Sequence, residues 1–230
     1  MEKTTIFNLI ILDESGSMGS LTSATIEGCN SVLATARKVQ QENTDSQRVL
    51  VSIYAFQSGA VPSRYIVHND PADKVADIDG RAYRPCGCTP LYDAIGTTLT
   101  ELEAVAKTHE DATGVITIIT DGMENDSKRY SHKDVVSLID RFKEMGWVVN
   151  FIGANVDVEK VADTLHISNR LQYDHSVEGI SASMTKFNME FEDYAERERR
   201  YNNVMEHPDA KLRRRKEDAK RFFSRPDKHK

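Results

Sequence analysis

The chain has 230 residues, of which 39% are hydrophobic and 29% charged; this suits one α/β domain with an appendage better than two full domains. No apolar run reaches the ~20 residues of a membrane helix, and three cysteines, Cys29, Cys86 and Cys88, are too sparse and too odd a set for a disulfide framework. The net charge of −6 is uneven: Arg197 to Lys230 holds 13 Lys/Arg against 6 Asp/Glu, a net of +7, and the residues before it carry −13.

Residues 6–12, Ile-Phe-Asn-Leu-Ile-Ile-Leu, are mostly apolar and β-prone and run into Asp13-Glu14-Ser15-Gly16-Ser17-Met18-Gly19. That is the pattern of a buried parallel strand that delivers polar groups to the end of a sheet. Acids rather than a small-residue cleavage pattern follow it, so it is not read as a secretory signal, and the protein is expected to be cytoplasmic. Ile26, Cys29, Val32, Leu33, Ala36 and Val39 recur at three-to-four spacing and predict an amphipathic helix. Val49 to Phe56 predicts the next strand. A short edge strand is expected over Arg64 to His68, where the chain reverses, ended by Asn69-Asp70-Pro71.

Pro90 suits a first helical turn, with Leu91, Ile95, Leu99, Leu102 and Val105 as the buried stripe beyond it. Val115 to Ile119 reads as a second buried strand. Ser131 and Asp134 resemble a capping box that opens a helix through Val135, Leu138, Ile139 and Phe142, ended by Gly146. Trp147 to Ile152 predicts another strand, and Gly153-Ala154-Asn155 a turn into a short helix around Val158, Val161, Ala162 and Leu165. Leu171 to Tyr173 reads as a last short strand. Ile180, Met184, Phe187, Phe191 and Tyr194 form a helical stripe expected in the core. The alternation implies a doubly wound, mostly parallel α/β sheet with helices on both faces, one antiparallel edge strand and right-handed crossovers. Residues 1–195 form the domain, and residues 196–230 a basic, helical tail interrupted at His207-Pro208.

In open α/β sheets ligands bind beyond the carboxyl ends of the strands. Asp13, Ser15 and Ser17 stand there at i, i+2 and i+4, with Gly16 and Gly19 letting the backbone curl. They are short, hard oxygen donors of the kind Mg²⁺ and Mn²⁺ take, and neither thiolate nor imidazole is among them. The same string also makes turns and helix N-caps. Two later segments add to it: Gly87-Cys88-Thr89-Pro90-Leu91-Tyr92-Asp93, with a threonine before a proline and a helix, and Thr120-Asp121-Gly122, which closes the strand at Val115 to Ile119. Together these resemble the von Willebrand factor A family. Its metal-ion-dependent adhesion site combines D-x-S-x-S after the first strand, a threonine in a later loop and an aspartate after the fourth strand. The resemblance covers about Thr4 to Tyr194 and implies a Rossmann-like fold with a complete site of Asp13, Ser15, Ser17, Thr89 and Asp121. Mg²⁺ is the expected ion, with Mn²⁺ or Ca²⁺ as substitutes. A plain N-cap is the alternative for Thr89, and Asp93 reads as a first-turn acid favoured by the helix dipole.

By resemblance, the function is metal-dependent protein interaction, an Asp or Glu of a partner completing the ion's shell. Family members inside cells serve as adaptors beside ring-forming ATPases or in bacterial stress systems, and an ATPase or another complex component is the kind of partner expected. The competing class is a Mg²⁺-dependent hydrolase or phosphatase. Asp13-Glu14-Ser15 lacks the second aspartate of the D-x-D pattern, no G-x-x-x-x-G-K-[ST] loop occurs, and Arg84 and Lys128 are the basic residues nearest the motifs; the chain is not expected to be an enzyme. A third class acts through the basic tail on nucleic acid, an anionic surface or an acidic partner, although interspersed acids and few aromatics fit a solvated or intermolecular docking helix equally well. The polar run Met123 to Ser127 could shape the rim of the site. Cys86-Gly87-Cys88 reads as a small-residue loop, and the scattered histidines as surface or satisfied residues.

Overall fold

A computed structural model describes residues 3–154, 157–203 and 207–224. Its six strands are β1 (Thr4–Asp13), β2 (Gln47–Ser58), β3 (Pro62–Pro71), β4 (Ala112–Thr120), β5 (Val148–Gly153) and β6 (Asn169–Gln172). They form one sheet in the order β3-β2-β1-β4-β5-β6, in which β3 alone runs antiparallel. The helices are α1 (Thr22–Glu42), α2 (Leu91–Ala106), α3 (His132–Glu144), α4 (Val158–Thr164), α5 (Val177–Asn203) and α6 (Pro208–Ala219). This is the expected doubly wound, mostly parallel α/β architecture.

The period-two alternation of a strand sends successive side chains to opposite faces, and β1 is buried from end to end because both of its faces are covered. Ile6, Ile10 and Leu12 pack beneath α1 and α5. Phe7, Leu9 and Ile11 pack beneath α2, α3 and α4. The stripe Ile180, Met184, Phe187, Phe191 and Tyr194 lies in the first of these cores, as its spacing predicts. Leu12 on β1 is in register with Ile119 on β4, so Asp13 and Asp121 leave the carboxyl edge of the sheet side by side.

The antiparallel edge strand is longer than expected. Pairing continues past Asn69, which takes φ 53°, to Leu50–Pro71, with shifts of register along the way. A proline is tolerated there because the outer edge of a sheet needs no donor. The capping box of α3 is present, with Ser131 Oγ accepting from Asp134 N and Asp134 returning the contact to Ser131 N. α4 also forms as expected; Asn155, part of the turn predicted before it, lies outside the described residues.

The helix that carries the core stripe does not stop near residue 195 but continues to Asn203, and α6 follows with Pro208 at its first turn. This basic segment is docked on its own chain. The Arg215 guanidinium is buried, donating to both Glu198 oxygens at 2.6 to 3.1 Å and to Asp111 Oδ1 at 3.0 Å. Lys211 reaches Asp111 and Lys216 reaches Glu144. Burial alone would raise the Asp111 carboxyl, but Arg215 and Lys211 hold it down at about 2. Beyond α6, Phe222 is fully buried in the core beneath α5.

Removing one partner of a buried ion pair leaves the other charge uncompensated, at a cost of roughly 3–5 kcal/mol. Arg215→Ala should therefore lower the urea-unfolding free energy by about that amount, and Arg215→Met combined with Glu198→Leu should restore most of it. A loss below about 1 kcal/mol in the single variant, the value of an exposed pair, would show that this pair does not hold α6 in place.

Candidate metal centre

Asp13 ends β1 with its side chain fully buried. Its Oδ1 accepts from Ser15 N at 2.7 Å and its Oδ2 from Thr120 Oγ1 at 2.6 Å. Burial raises this carboxyl to about 6, outweighing the hydrogen bonds from Thr120 and Ser15, and the charge of Asp121 pushes the same way. The chain then coils into a 3-10 turn over Gly16–Leu21. That turn brings Ser17 Oγ to 3.1 Å from Ser15 Oγ and lets it donate to Asp121 Oδ1 at 2.6 Å. Asp13 and Asp121 are buried, while Ser17 is exposed and marks the mouth of the site.

Thr89 is brought to the same place. A Cβ added to Gly122 would lie 3.1 Å from Thr89 Oγ1 and 3.8 Å from Asp13 Oδ2, so the threonine hydroxyl and the buried carboxylate face the same side of Gly122, where a side chain would crowd them. The N-cap position of α2 belongs to Pro90, with no side-chain cap, so Thr89 Oγ1 is not used as a plain helix cap. Thr89 thus lies beside Gly122, next to Asp121, at the same end of the sheet as Asp13, Ser15 and Ser17.

The loops are fixed by acids that the sequence reading did not assign. Glu14, fully buried, accepts from Arg64 Nη1 and Nη2 at 2.6 and 3.0 Å, from Gln57 Nε2 at 2.8 Å and from Arg84 N at 2.5 Å. Its carbonyl accepts from Cys86 N, and Gly16 N donates to Gly87 O, so the loop leading to Thr89 is tied to the loop after β1. Gly87 sits at φ 72°, and a Cβ there would come within 2.5 Å of Gly59 N, so the position requires glycine. Cys86 Sγ donates to Gln57 Oε1 at 2.6 Å, Cys88 is exposed, and both are free thiols.

On the other side, Asn125 Oδ1 accepts from Thr89 N at 2.8 Å, and Glu124 accepts from Tyr92 N, Asp126 N and Ser127 N. The run Met123 to Ser127 therefore shapes the rim, and its side chains satisfy the first N–H groups of α2, which a helix leaves unpaired. Asp93 does more than favour a helix dipole: its carboxylate accepts from the backbone N–H groups of Lys128, Arg129 and Tyr130.

Two residues after β6 complete the surroundings. His175 Nε2 lies 2.9 Å from Asp121 Oδ2. The Tyr173 hydroxyl is buried without a hydrogen-bond partner among the described residues, and burial together with the charges of Asp121 and Asp13 raises its pKa. Their distance in sequence hid them. The signal was their position at the carboxyl end of the last strand, the same edge that carries Asp13 and Asp121.

Among the described residues no three His, Cys, Asp or Glu side chains are grouped as a metal site. The donors gathered here are instead two carboxylates and three hydroxyls, a set suited to a hard divalent cation. The Tyr173 hydroxyl, buried without a hydrogen-bond partner among the described residues, also fits such an ion with its waters.

No protein-family model matches the sequence, and no curated protein matches it significantly. Solved structures do: 81% of the chain matches 42% of the von Willebrand factor type A protein from Catenulispora acidiphila, with TM-score 0.53 and 16% identity. The chain has the von Willebrand factor A fold. The pilus adhesin SpaC from Lactobacillus rhamnosus GG is also similar, over 84% of this chain and 30% of that one, with TM-score 0.62 and 13% identity. So is manganese-loaded TRAP from Plasmodium vivax, over 77% and 71%, with TM-score 0.50 and 14% identity. The A fold here thus spans well under half of the first two proteins.

The Glu14–Arg64 pair gives a direct test of how the site is held. Arg64→Leu leaves Glu14 charged and buried, and the folded state should lose roughly 3–5 kcal/mol in chemical denaturation. An unchanged midpoint would mean that Gln57 and the Arg84 N–H hold Glu14 without Arg64.

Proposed function

We propose that this chain is a divalent-cation-dependent protein-interaction module that receives an Asp or Glu side chain of a partner. The observation that carries the proposal is the convergence of Asp13, Ser15, Ser17, Thr89 and Asp121 at the carboxyl edge of the sheet. Asp13 and Asp121 would supply the negative charge that holds Mg²⁺ or Mn²⁺, and Ser15, Ser17 and Thr89 neutral oxygens. A bound ion would supply an electrophilic position for an anionic oxygen. Two carboxylates balance a divalent ion without making the site negative, so an incoming carboxylate would be drawn by coordination to the ion itself, and the exposed Ser17 marks the side from which it arrives. The manganese-loaded structure with the same fold supports a divalent ion.

Binding is favoured over phosphoryl transfer or hydrolysis by the placement of the cations. Among the described residues no Lys or Arg side chain pairs with Asp13 or Asp121, and Arg64 is committed to Glu14. A phosphate would find no clamp there. The tail is a weaker candidate, because Lys211, Arg215 and Lys216 are engaged with acids of the same chain. The role we assign is that of an adaptor in a larger complex, such as one built around an ATPase, in the cytoplasm. Among the described residues no helix is long and apolar enough to cross a membrane.

Saturating Mg²⁺ or Mn²⁺ should stabilise the wild type by about 2.7 kcal/mol at a hundredfold excess over Kd. Asp13→Ala should abolish the shift while keeping the far-ultraviolet circular dichroism of the fold, and Thr89→Val should weaken it. In a pull-down, a partner retained by wild type in Mg²⁺ should be lost in EDTA and lost with Asp13→Ala. Partner binding that ignores both variants and the chelator would refute the proposal.

A further inference from the structure

Cys86 and Cys88 flank Gly87 in the loop that leads to Thr89, and both are free thiols, Cys88 exposed and Cys86 half-buried. The third cysteine does not compete with them: Cys29 is fully buried in the core, and burial pushes its thiol up to about 12. Two Cα atoms with one residue between them stand at most about 7 Å apart, and only in a fully extended chain. Gly87, at φ 72°, is not extended. The chain itself therefore keeps the pair within the ~4.4–6.8 Å that a disulfide spans.

In the reduced chain Cys86 Sγ donates to Gln57 Oε1 at 2.6 Å, and Gln57 Nε2 donates in turn to Glu14. Around them Glu14 O accepts from Cys86 N, Gly87 O from Gly16 N and Cys88 O from Ser58 N. A Cys86 sulfur drawn over to Cys88 leaves Gln57 Oε1 without its donor, and the small ring so formed twists the residues whose backbone ties the Thr89 loop to the turn after β1. An accessible thiol beside a second one that resolves it is the arrangement of a redox-sensing pair, and a disulfide closed over so small a ring is strained and the more readily reduced. We infer that Cys86 and Cys88 are a reversible redox pair, closed by a low-molecular-weight disulfide, whose oxidation loosens the loop carrying Thr89. The Cys88 thiolate attacks one sulfur of that disulfide and displaces a thiolate; the Cys86 thiolate then attacks the Cys88 sulfur and displaces the second. Two electrons pass from the protein sulfurs to the small molecule, and the two protons given up by Cys86 and Cys88 are taken up by the two displaced thiolates. Through Thr89 the closure would also lower the affinity for a divalent cation, a consequence that rests on the reading of the cluster as a metal site.

The test treats the whole chain with oxidised glutathione and then with dithiothreitol. The peptide that holds Cys86 and Cys88 should become lighter by two hydrogens and be restored by the reductant. In the oxidised protein the amides of Gly16, Ser58 and Cys86 should exchange with solvent at least tenfold faster, as expected when the loop opens, and Mn²⁺ should bind roughly 10–100-fold more weakly, the effect of disturbing the groups behind metal ligands. Cys86→Ser keeps a donor for Gln57 but cannot close the bridge; it should match reduced wild type before oxidation and accumulate glutathione on Cys88 after it, while Cys88→Ser should stay unmodified. Wild type that stops at the glutathione adduct, or that closes the bridge with the three amides unchanged, would overturn the inference. Undiminished Mn²⁺ affinity in the bridged protein would overturn its link to the metal site. Failure of reduced wild type to bind Mn²⁺ would overturn the metal reading instead, and the three amides would still decide the redox pair.

Discussion

Two carboxylates set side by side and out of water constrain the whole carboxyl edge of this sheet. The parallel register of β1 and β4 puts Asp13 and Asp121 there, and nothing in that backbone geometry neutralises them. Burial of an ionised group is unfavourable unless hydrogen bonds or opposite charge compensate, and the chain answers with donors from separate segments. Ser15 N and Ser17 Oγ come from the turn after β1, Thr120 Oγ1 from the end of β4, and His175 from the loop after β6. Each donor ties a loop to the carboxylates, so the loops acquire a fixed arrangement from the need to satisfy them.

A second ring of acids extends the same logic outward. Glu14, Asp93 and Glu124 all accept backbone N–H groups of loops around the site. A carboxylate that accepts several such bonds organises irregular backbone as strand pairing organises a sheet. The acidic excess of the body is therefore partly internal scaffolding. At the opposite edge the basic tail meets Asp111, Glu144 and Glu198. The charge asymmetry between body and tail works within the chain as an attachment.

The fold was legible because its determinants are local. Period-two runs such as Ile6 to Leu12 and three-to-four stripes such as Ile180 to Tyr194 report burial on one face without reference to the rest of the chain. The candidate residues Asp13, Ser15, Ser17, Thr89 and Asp121 stood out because three short segments each carry a distinctive string. His175 did not, because its partner stands 54 residues away and no spacing rule connects them. The role of Glu14 is not local either: it depends on Gln57 from β2, Arg64 from β3 and Arg84 from the loop beyond. The tail misled for the same reason, since the acids that hold Arg215 lie on α5 and at Asp111.

The choice of donors bears on what such a site can do. A third carboxylate in place of Ser15, Ser17 or Thr89 would bind a divalent ion more tightly, but, two carboxylates already balancing the ion's charge, it would turn the attraction for an arriving acid into repulsion. Hydroxyls leave that attraction in place at the cost of weaker binding, and the cluster compensates through burial, where Coulombic attraction is less screened than in water. The elevated pKa of Asp13 expresses the same balance from the protein side: the carboxylate is held where its charge is poorly solvated, so a cation gains more from meeting it there than it would at an exposed aspartate. In the proposed reading both halves matter: two buried carboxylates would hold the ion, and three neutral hydroxyls would leave it a position open to an acidic side chain.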